Sequence, residues 1–161
     1  MRDLEDAIQN LQQSVKLTPE GHPVLPSRLN NLGSSYLSLF KRTENTAYIA
    51  LAIQYLEQAV KYTPEGHSDM PRWLSNLGKL YNQHFFYSQD HNSLKHAIYN
   101  FHLAAISETG PLAIRLSAAE SWIQLSKSVS CSQSDLISAY DLAIHLLTLL
   151  TSFDTMIHHR Y

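Results

Sequence analysis

The side chains in this chain that most invite a chemical reading are its histidines. There are nine, and His84, His91, His96 and His102 fall close together. Imidazoles hold zinc jointly when two of them share a helix face, which needs a step of three or four residues. The steps here are five, from His91 to His96, and six, from His96 to His102, so no metal is expected. The single cysteine, Cys131, lies in a serine-rich stretch. A thiol nucleophile requires a neighbouring base and oxyanion donors, and the sequence places neither beside it. No catalytic group and no cofactor are expected, and the chain does not read as an enzyme. Ser126, Ser128, Ser130, Ser132 and Ser134 could accept phosphate, which would add negative charge to a connection.

Charge excludes further classes. Twelve Lys and Arg stand against fourteen Asp and Glu, a formal net charge of −2. That balance lacks the positive field that nucleic acid or an anionic membrane surface requires, so neither is an expected partner. Trp73 and Trp122, without basic surroundings, suit packing rather than base stacking. The longest apolar run, Ala143 to Leu150, is broken by His145 and Thr148 and is far shorter than the roughly 20 residues that span a bilayer. The N-terminus, Met-Arg-Asp-Leu-Glu-Asp, is charged where a secretory signal would be apolar. With one cysteine, an intracellular, cytoplasmic location is expected.

The organisation is repetitive. Thr18-Pro19-Glu20-Gly21-His22 returns as Thr63-Pro64-Glu65-Gly66-His67, and Leu29-x-x-Leu32-Gly33-x-x-Tyr36 returns as Leu74-x-x-Leu77-Gly78-x-x-Tyr81, both after 45 residues. A fixed period implies units that bury their apolar faces by stacking on copies of themselves. Leu4, Ala7, Ile8, Leu11 and Val15 lie at helical spacing up to Thr18, which Pro19 forces out of the helical region. The turn that follows is expected to carry Pro19 at its second position and Gly21 at its last.

A second stripe, Leu25, Leu29, Leu32, Tyr36 and Phe40, precedes a polar break at Lys41 to Thr46. Ile49, Ala52, Ile53, Leu56, Ala59 and Val60 then resume it. The next unit repeats the scheme with Trp73, Leu74, Leu77, Tyr81 and Phe85, a break at Gln89 to Asn92, and Leu94, Ala97, Ile98, Phe101 and Ala105. A diverged third unit has Leu116, Ala119, Ile123, Ala139, Tyr140, Ala143, Leu146 and Leu147 about the serine-rich stretch. Leu29 to Ala52, Leu74 to Ala97 and Leu116 to Ala139 each span 23 residues. Seven helices and a short eighth are expected, with no strands. Gly33 and Gly78 sit inside helices, where glycine costs about 1 kcal/mol relative to Ala, so they should mark tight helix crossings against Ala52 and Ala97.

These residues resemble the tetratricopeptide repeat. Leu29, Leu32, Gly33 and Tyr36 match the family's first helix, and Ala52, Leu56, Ala59 and Pro64 its second. Leu74, Leu77, Gly78, Tyr81, Ala97, Phe101 and Ala104 match again. The 45-residue period exceeds the family's 34 and implies longer helices. The longer period, with Thr-Pro-Glu-Gly-His turns and the Arg28 to Gly33 segment, is similar to arrays that precede a caspase-like CHAT domain in large fungal proteins. No Cys/His dyad is present, so peptidase activity is not carried over.

The resemblance implies an all-α fold, an α-solenoid of antiparallel helix pairs coiled as a right-handed superhelix. Residues 1–161 would form one domain: a half repeat over 1–19, repeats over 20–64 and 65–109, a diverged repeat over 110–151 and a partial helix over 152–161. The abrupt ends suggest a fragment of a larger protein. In the family the first helix of each unit lines a concave face that binds a peptide or partner domain. Transferred by position, that face comprises Ser27, Asn30, Ser34 and Leu37, then Arg72, Ser75, Lys79 and Asn82, then Ile114, Ser117, Ser121 and Gln124, with Asn31 and Asn76 recurring beside it. The implied function is a non-enzymatic scaffold whose polar, mildly basic floor suits an acidic peptide. Two alternatives are a regulatory arm of a CHAT protease, and self-association through apolar faces at Leu4/Ile8/Leu11 and Leu146/Leu149/Phe153.

Overall fold

The computed structural model describes residues 2–128 and 133–158, with side-chain environments for 3–128 and 133–152. Cys131, Ser130, Ser132, His159 and Tyr161, and the side chains of Phe153 and His158, lie outside the described residues. Among the described residues seven helices follow one another: α1 Arg2–Lys16, α2 Leu25–Thr43, α3 Thr46–Tyr62, α4 Met70–Ser88, α5 His91–Ile106, α6 Leu112–Ser128 and α7 Gln133–His158. Sequence neighbours pack together, α1 on α2, α2 on α3 and α6 on α7. The fold class is all-α and solenoid-like, as the stripes and breaks imply.

The helices gather into two compact units, one formed by residues 1–65 and 76–97, the other by 66–75 and 98–161. In the first, Leu32, Phe40, Ile49 and Ala52 are wholly buried beside Ile8, Tyr36, Leu39, Leu56, Leu77 and Leu80. Leu4, Leu11 and Val15 of α1 pack against them. The stripe Leu4/Ile8/Leu11 is therefore core, and is not a free apolar end. Tyr36 closes one side, its hydroxyl accepting a hydrogen bond from Gln12 Nε2 at 2.7 Å and its ring stacked on Tyr55 at 5.6 Å. At Gly33 α2 approaches α3 closely: a Cβ there would strike Leu56 Cδ1 and lie 3.0 Å from the Ala52 carbonyl. Its equivalent, Gly78, is also buried.

The helix boundaries have local causes that repeat. Thr18 Oγ1 donates to the Ser14 carbonyl and Thr63 Oγ1 to the Ala59 carbonyl, each at 2.6 Å, closing the last turn before a proline that forbids another. The turn after α1 differs in register from the expectation. His22 N–H bonds the Pro19 carbonyl at 3.1 Å, so Pro19 is the first residue and Gly21, at φ +86°, the third. A left-handed third residue is what this turn demands, and glycine supplies it without a steric penalty. The Nδ1 atoms of His22 and His67 accept from Val24 N–H at 3.2 Å and Asp69 N–H at 3.1 Å, tightening the chain just ahead of α2 and α4.

Glu44 and Gln89 end α2 and α4 in the same way, at φ +55° and +57°, with N–H groups bonded to the Phe40 and Phe85 carbonyls at 2.7 and 2.8 Å. Neither is glycine, so both carry left-handed strain. Asn45 and Asp90 follow as caps of α3 and α5.

In the second unit α6 buries Ala118, Ala119, Trp122, Ile123 and Ser126, and α7 buries Ala139 and Leu146. Leu146 is thus internal and not part of a free end. Tyr140 and Leu147, expected in the same core, are exposed. Gly110, at φ +88°, permits a close approach of the connection before α4, since a Cβ there would lie 2.6 Å from the Ser68 carbonyl. No eighth helix separates at residue 152. α7 runs unbroken to His158, because nothing from Leu146 onward is Gly or Pro.

Candidate functional site

The residues assigned to a binding face fall into both units. In the first unit, α2 and α4 lie side by side, and Asn76 Nδ2 donates to Asn30 Oδ1 at 2.9 Å. Asn30 itself is buried, so its amide serves this seam and is not offered to solvent. Asn31, Ser34 and Lys79 are exposed around it, and Asn76 and Asn82 are half-buried. Ser27 is half-buried and donates to the Val24 carbonyl at 2.9 Å. Leu37 packs against the core.

In the second unit Arg72 lies half exposed, 3.7 Å from Asp69, an i,i+3 pair that water largely screens. Ser75 is 4% exposed and so is internal. Ser117 and Gln124 are exposed, while Ile114 is half-buried. Ser121 is half-buried and donates to the Ser117 carbonyl at 2.9 Å. The family resemblance implies that Asn30 and Ser75 face outward with the rest, and both are buried. Helical spacing records which residues share a face, but not how far a neighbouring helix covers that face.

Three histidines are engaged with rings. His96 stacks on Tyr81 at 4.9 Å, His91 tilts against Phe85 at 5.6 Å, and His102 meets Trp122 at 4.5 Å. Among the described residues no three His, Cys, Asp or Glu side chains gather where a metal ion could be held. No helix among them is long and apolar enough to cross a membrane.

One polar constellation was not foreseen. His84 Nδ1 lies 2.8 Å from Ser93 Oγ, and Ser93 Oγ donates to Asp90 Oδ2 at 2.9 Å. A hydroxyl has a single proton, so if it goes to Asp90 then His84 must donate from Nδ1. Nucleophilic triads place the imidazole between hydroxyl and carboxylate, whereas here the hydroxyl is in the middle and is almost wholly buried. Asp90 also accepts from the N–H groups of Asn92 and Ser93 at 3.0 and 3.2 Å. The hydroxyl of Ser93 foremost, then the Asn92 amide, hold its carboxyl below the usual range. The group is a helix cap, and its sequence signal was an Asp three residues ahead of a Ser at the head of an apolar stripe.

Two further tyrosine and arginine arrangements are structural. Tyr81 donates to Glu57 Oε1 at 2.5 Å, and burial followed by that carboxylate raises its pKa. Arg28 reaches back to the Ser14 carbonyl at 3.2 Å and to Thr18 Oγ1, and Arg115 reaches the Ala105 carbonyl at 3.3 Å. Both guanidiniums thus meet carbonyls in the final turns of an earlier helix, where the helix dipole favours positive charge. Burial lowers the Arg115 pKa, with Glu108 opposing. No protein-family model matches this chain, and no curated protein matches it.

Proposed function

We propose that this chain is a non-enzymatic protein-interaction module of tetratricopeptide type, binding a peptide along the polar faces of its first helices. The observation that carries the reading is the Asn76 to Asn30 bond between α2 and α4, beside which Asn31, Ser34 and Lys79 are exposed on those helices. Side-chain amides and hydroxyls suit an extended peptide backbone, and Lys79 suits a carboxylate. Arg72, seven residues earlier on α4, is a second cation whose pairing with Asp69 is loose enough to exchange. The favoured ligand is an acidic peptide.

The test compares an array of acidic and basic peptides on the wild type and on Arg72→Glu/Lys79→Glu. Acidic peptides should bind the wild type, and the double variant should lose at least tenfold in affinity with its melting curve unchanged. Equal binding by both proteins refutes the reading.

A further inference from the structure

In the first unit the exposed line of α2 continues beyond Ser34. Asn31, Ser34, Ser38 and Lys41 follow at steps of three or four, so they share one side of the helix, and all four are exposed. The matching line of α4, 45 residues on, is Asn76, Lys79, Gln83 and Phe86, of which Lys79 and Phe86 are exposed and the other two half-buried. Two contacts join the helices: the Asn76 to Asn30 bond and, toward their C-terminal ends, the edge-on meeting of Phe40 and Tyr87 at 4.9 Å. The last turn of α2, with Lys41, therefore lies beside the last turn of α4, with Phe86 and Tyr87. Phe86 is 71% exposed, and no large apolar side chain among the described residues is more so. Its ring stands edge-on to that of Tyr87 at 5.4 Å, and Tyr87, propped on Phe40, is 45% exposed. Among the described residues neither Lys41 nor Lys79 has a carboxylate partner. Glu44 and Asp90 lie beyond the helix ends, and Asp90 is taken up by the cap of α5. The helix dipole favours Lys41 at the end of α2 in any case, but it gives no reason for Phe86.

We infer that the peptide taken by this face carries a large apolar side chain about three residues from a carboxylate, the carboxylate meeting Lys79 and the apolar group lying on Phe86 and Tyr87. Lys41, across the seam, draws a second carboxylate beside that anchor. The spacing follows from the helix: Lys79 and Phe86 are seven residues apart, about 10 Å along the axis, which an extended peptide covers in about three residues. A carboxylate on a solvated lysine is weakly held, so the charges set the register and the two rings supply the larger share of affinity. An anionic bilayer is the poorer fit, because two lysines and two rings fall short of the basic, apolar face that holds a protein on a membrane. The inference rests on the acidic-peptide reading above and names the selectivity of that same face.

The probes are two dye-labelled peptides, one of two copies of Glu-Ser-Ser-Leu and the other with Ser in place of both Leu, followed by fluorescence anisotropy on titration with the 161-residue chain. The Leu peptide should bind the wild type about tenfold tighter or more. Phe86→Ala, at a site so exposed that the melting curve should not move, should bring the Leu peptide down to the affinity of the Ser peptide and leave the Ser peptide unchanged. Lys79→Glu should weaken both. Equal binding of the two peptides by the wild type overturns the inference without any variant, and so does an unchanged Leu-peptide affinity in Phe86→Ala; if Lys79→Glu still weakens both peptides, the acidic-peptide reading survives that failure. If neither peptide binds the wild type, or Lys79→Glu weakens neither, that reading fails and the inference with it. Sedimentation with phosphatidylserine vesicles that Phe86→Ala abolishes also overturns the inference, since the rings would then serve a membrane.

Discussion

Gly33 decides between two opposed effects, which makes its replacement an informative measurement. Alanine is favoured over glycine inside a helix by about 1 kcal/mol, so Gly33→Ala at an open position would stabilise the chain. At this position the new methyl meets Leu56 Cδ1 and stands 3.0 Å from the Ala52 carbonyl oxygen. Leu56 is 1% exposed and lies in a core with wholly buried Ile49 and Phe40, so it has no free space to swing into. Overpacking of this kind costs about 1–3 kcal/mol. Setting the propensity gain of about 1 kcal/mol against it leaves a net loss of up to about 2 kcal/mol. The discriminating step is to repeat Gly33→Ala in a Leu56→Ala background. Leu56→Ala alone should cost about 2–5 kcal/mol, but it removes the obstructing methyl, so Gly33→Ala should then be neutral or stabilising. The coupling between the two sites should thus be favourable by roughly 1–2 kcal/mol, within the range of residues in direct contact. Urea titration followed by far-ultraviolet circular dichroism measures all four proteins. A Gly33→Ala protein more stable than wild type, or an unchanged effect in the Leu56→Ala background, would refute the close crossing.

Two further outcomes follow from the helix ends. Glu44 holds a left-handed conformation that costs a residue with a Cβ about 1–2 kcal/mol, part of which a more flexible unfolded chain offsets, so Glu44→Gly should raise stability by roughly 0.5–1 kcal/mol in the same titration. Asp90 has its folded pKa depressed, so its contribution to stability is present above the unfolded carboxylate pKa of about 3.9 and is lost as pH falls through the folded value. Asp90→Asn keeps an acceptor for the cap but removes this titration, so its acid melting curve should shift less between neutral and acid pH than that of the wild type; parallel curves would exclude the linkage.

Much of this architecture is written locally in the chain. Threonine before proline stops α1 and α3, left-handed glycine turns the chain, and the leucine, alanine and aromatic stripes at helical spacing each fall within an observed helix. The 45-residue recurrence also identified the crossing at Gly33, because only a close neighbour explains a glycine kept within a helix. Other features lack a local signal. Glu44 and Gln89 adopt a glycine-like conformation that their side chains do not announce, and α7 continues past residue 152 because no breaker interrupts it. The candidate face shows the same division. The family resemblance implies an outward face with Ser34 and Lys79 on it and Asn31 beside it, and these are exposed, but it includes Asn30 and Ser75, and these are buried. Helical periodicity sorts residues by angle around one axis, whereas exposure depends on which second surface lies against that angle. For the same reason Ile144 and Leu147 of α7 are exposed, while Leu146, beside Leu147, is sealed inside. Sequence by itself settled where the helices are and which of their sides are apolar; only tertiary packing decided which of those sides are covered, since coverage is a property of the neighbour.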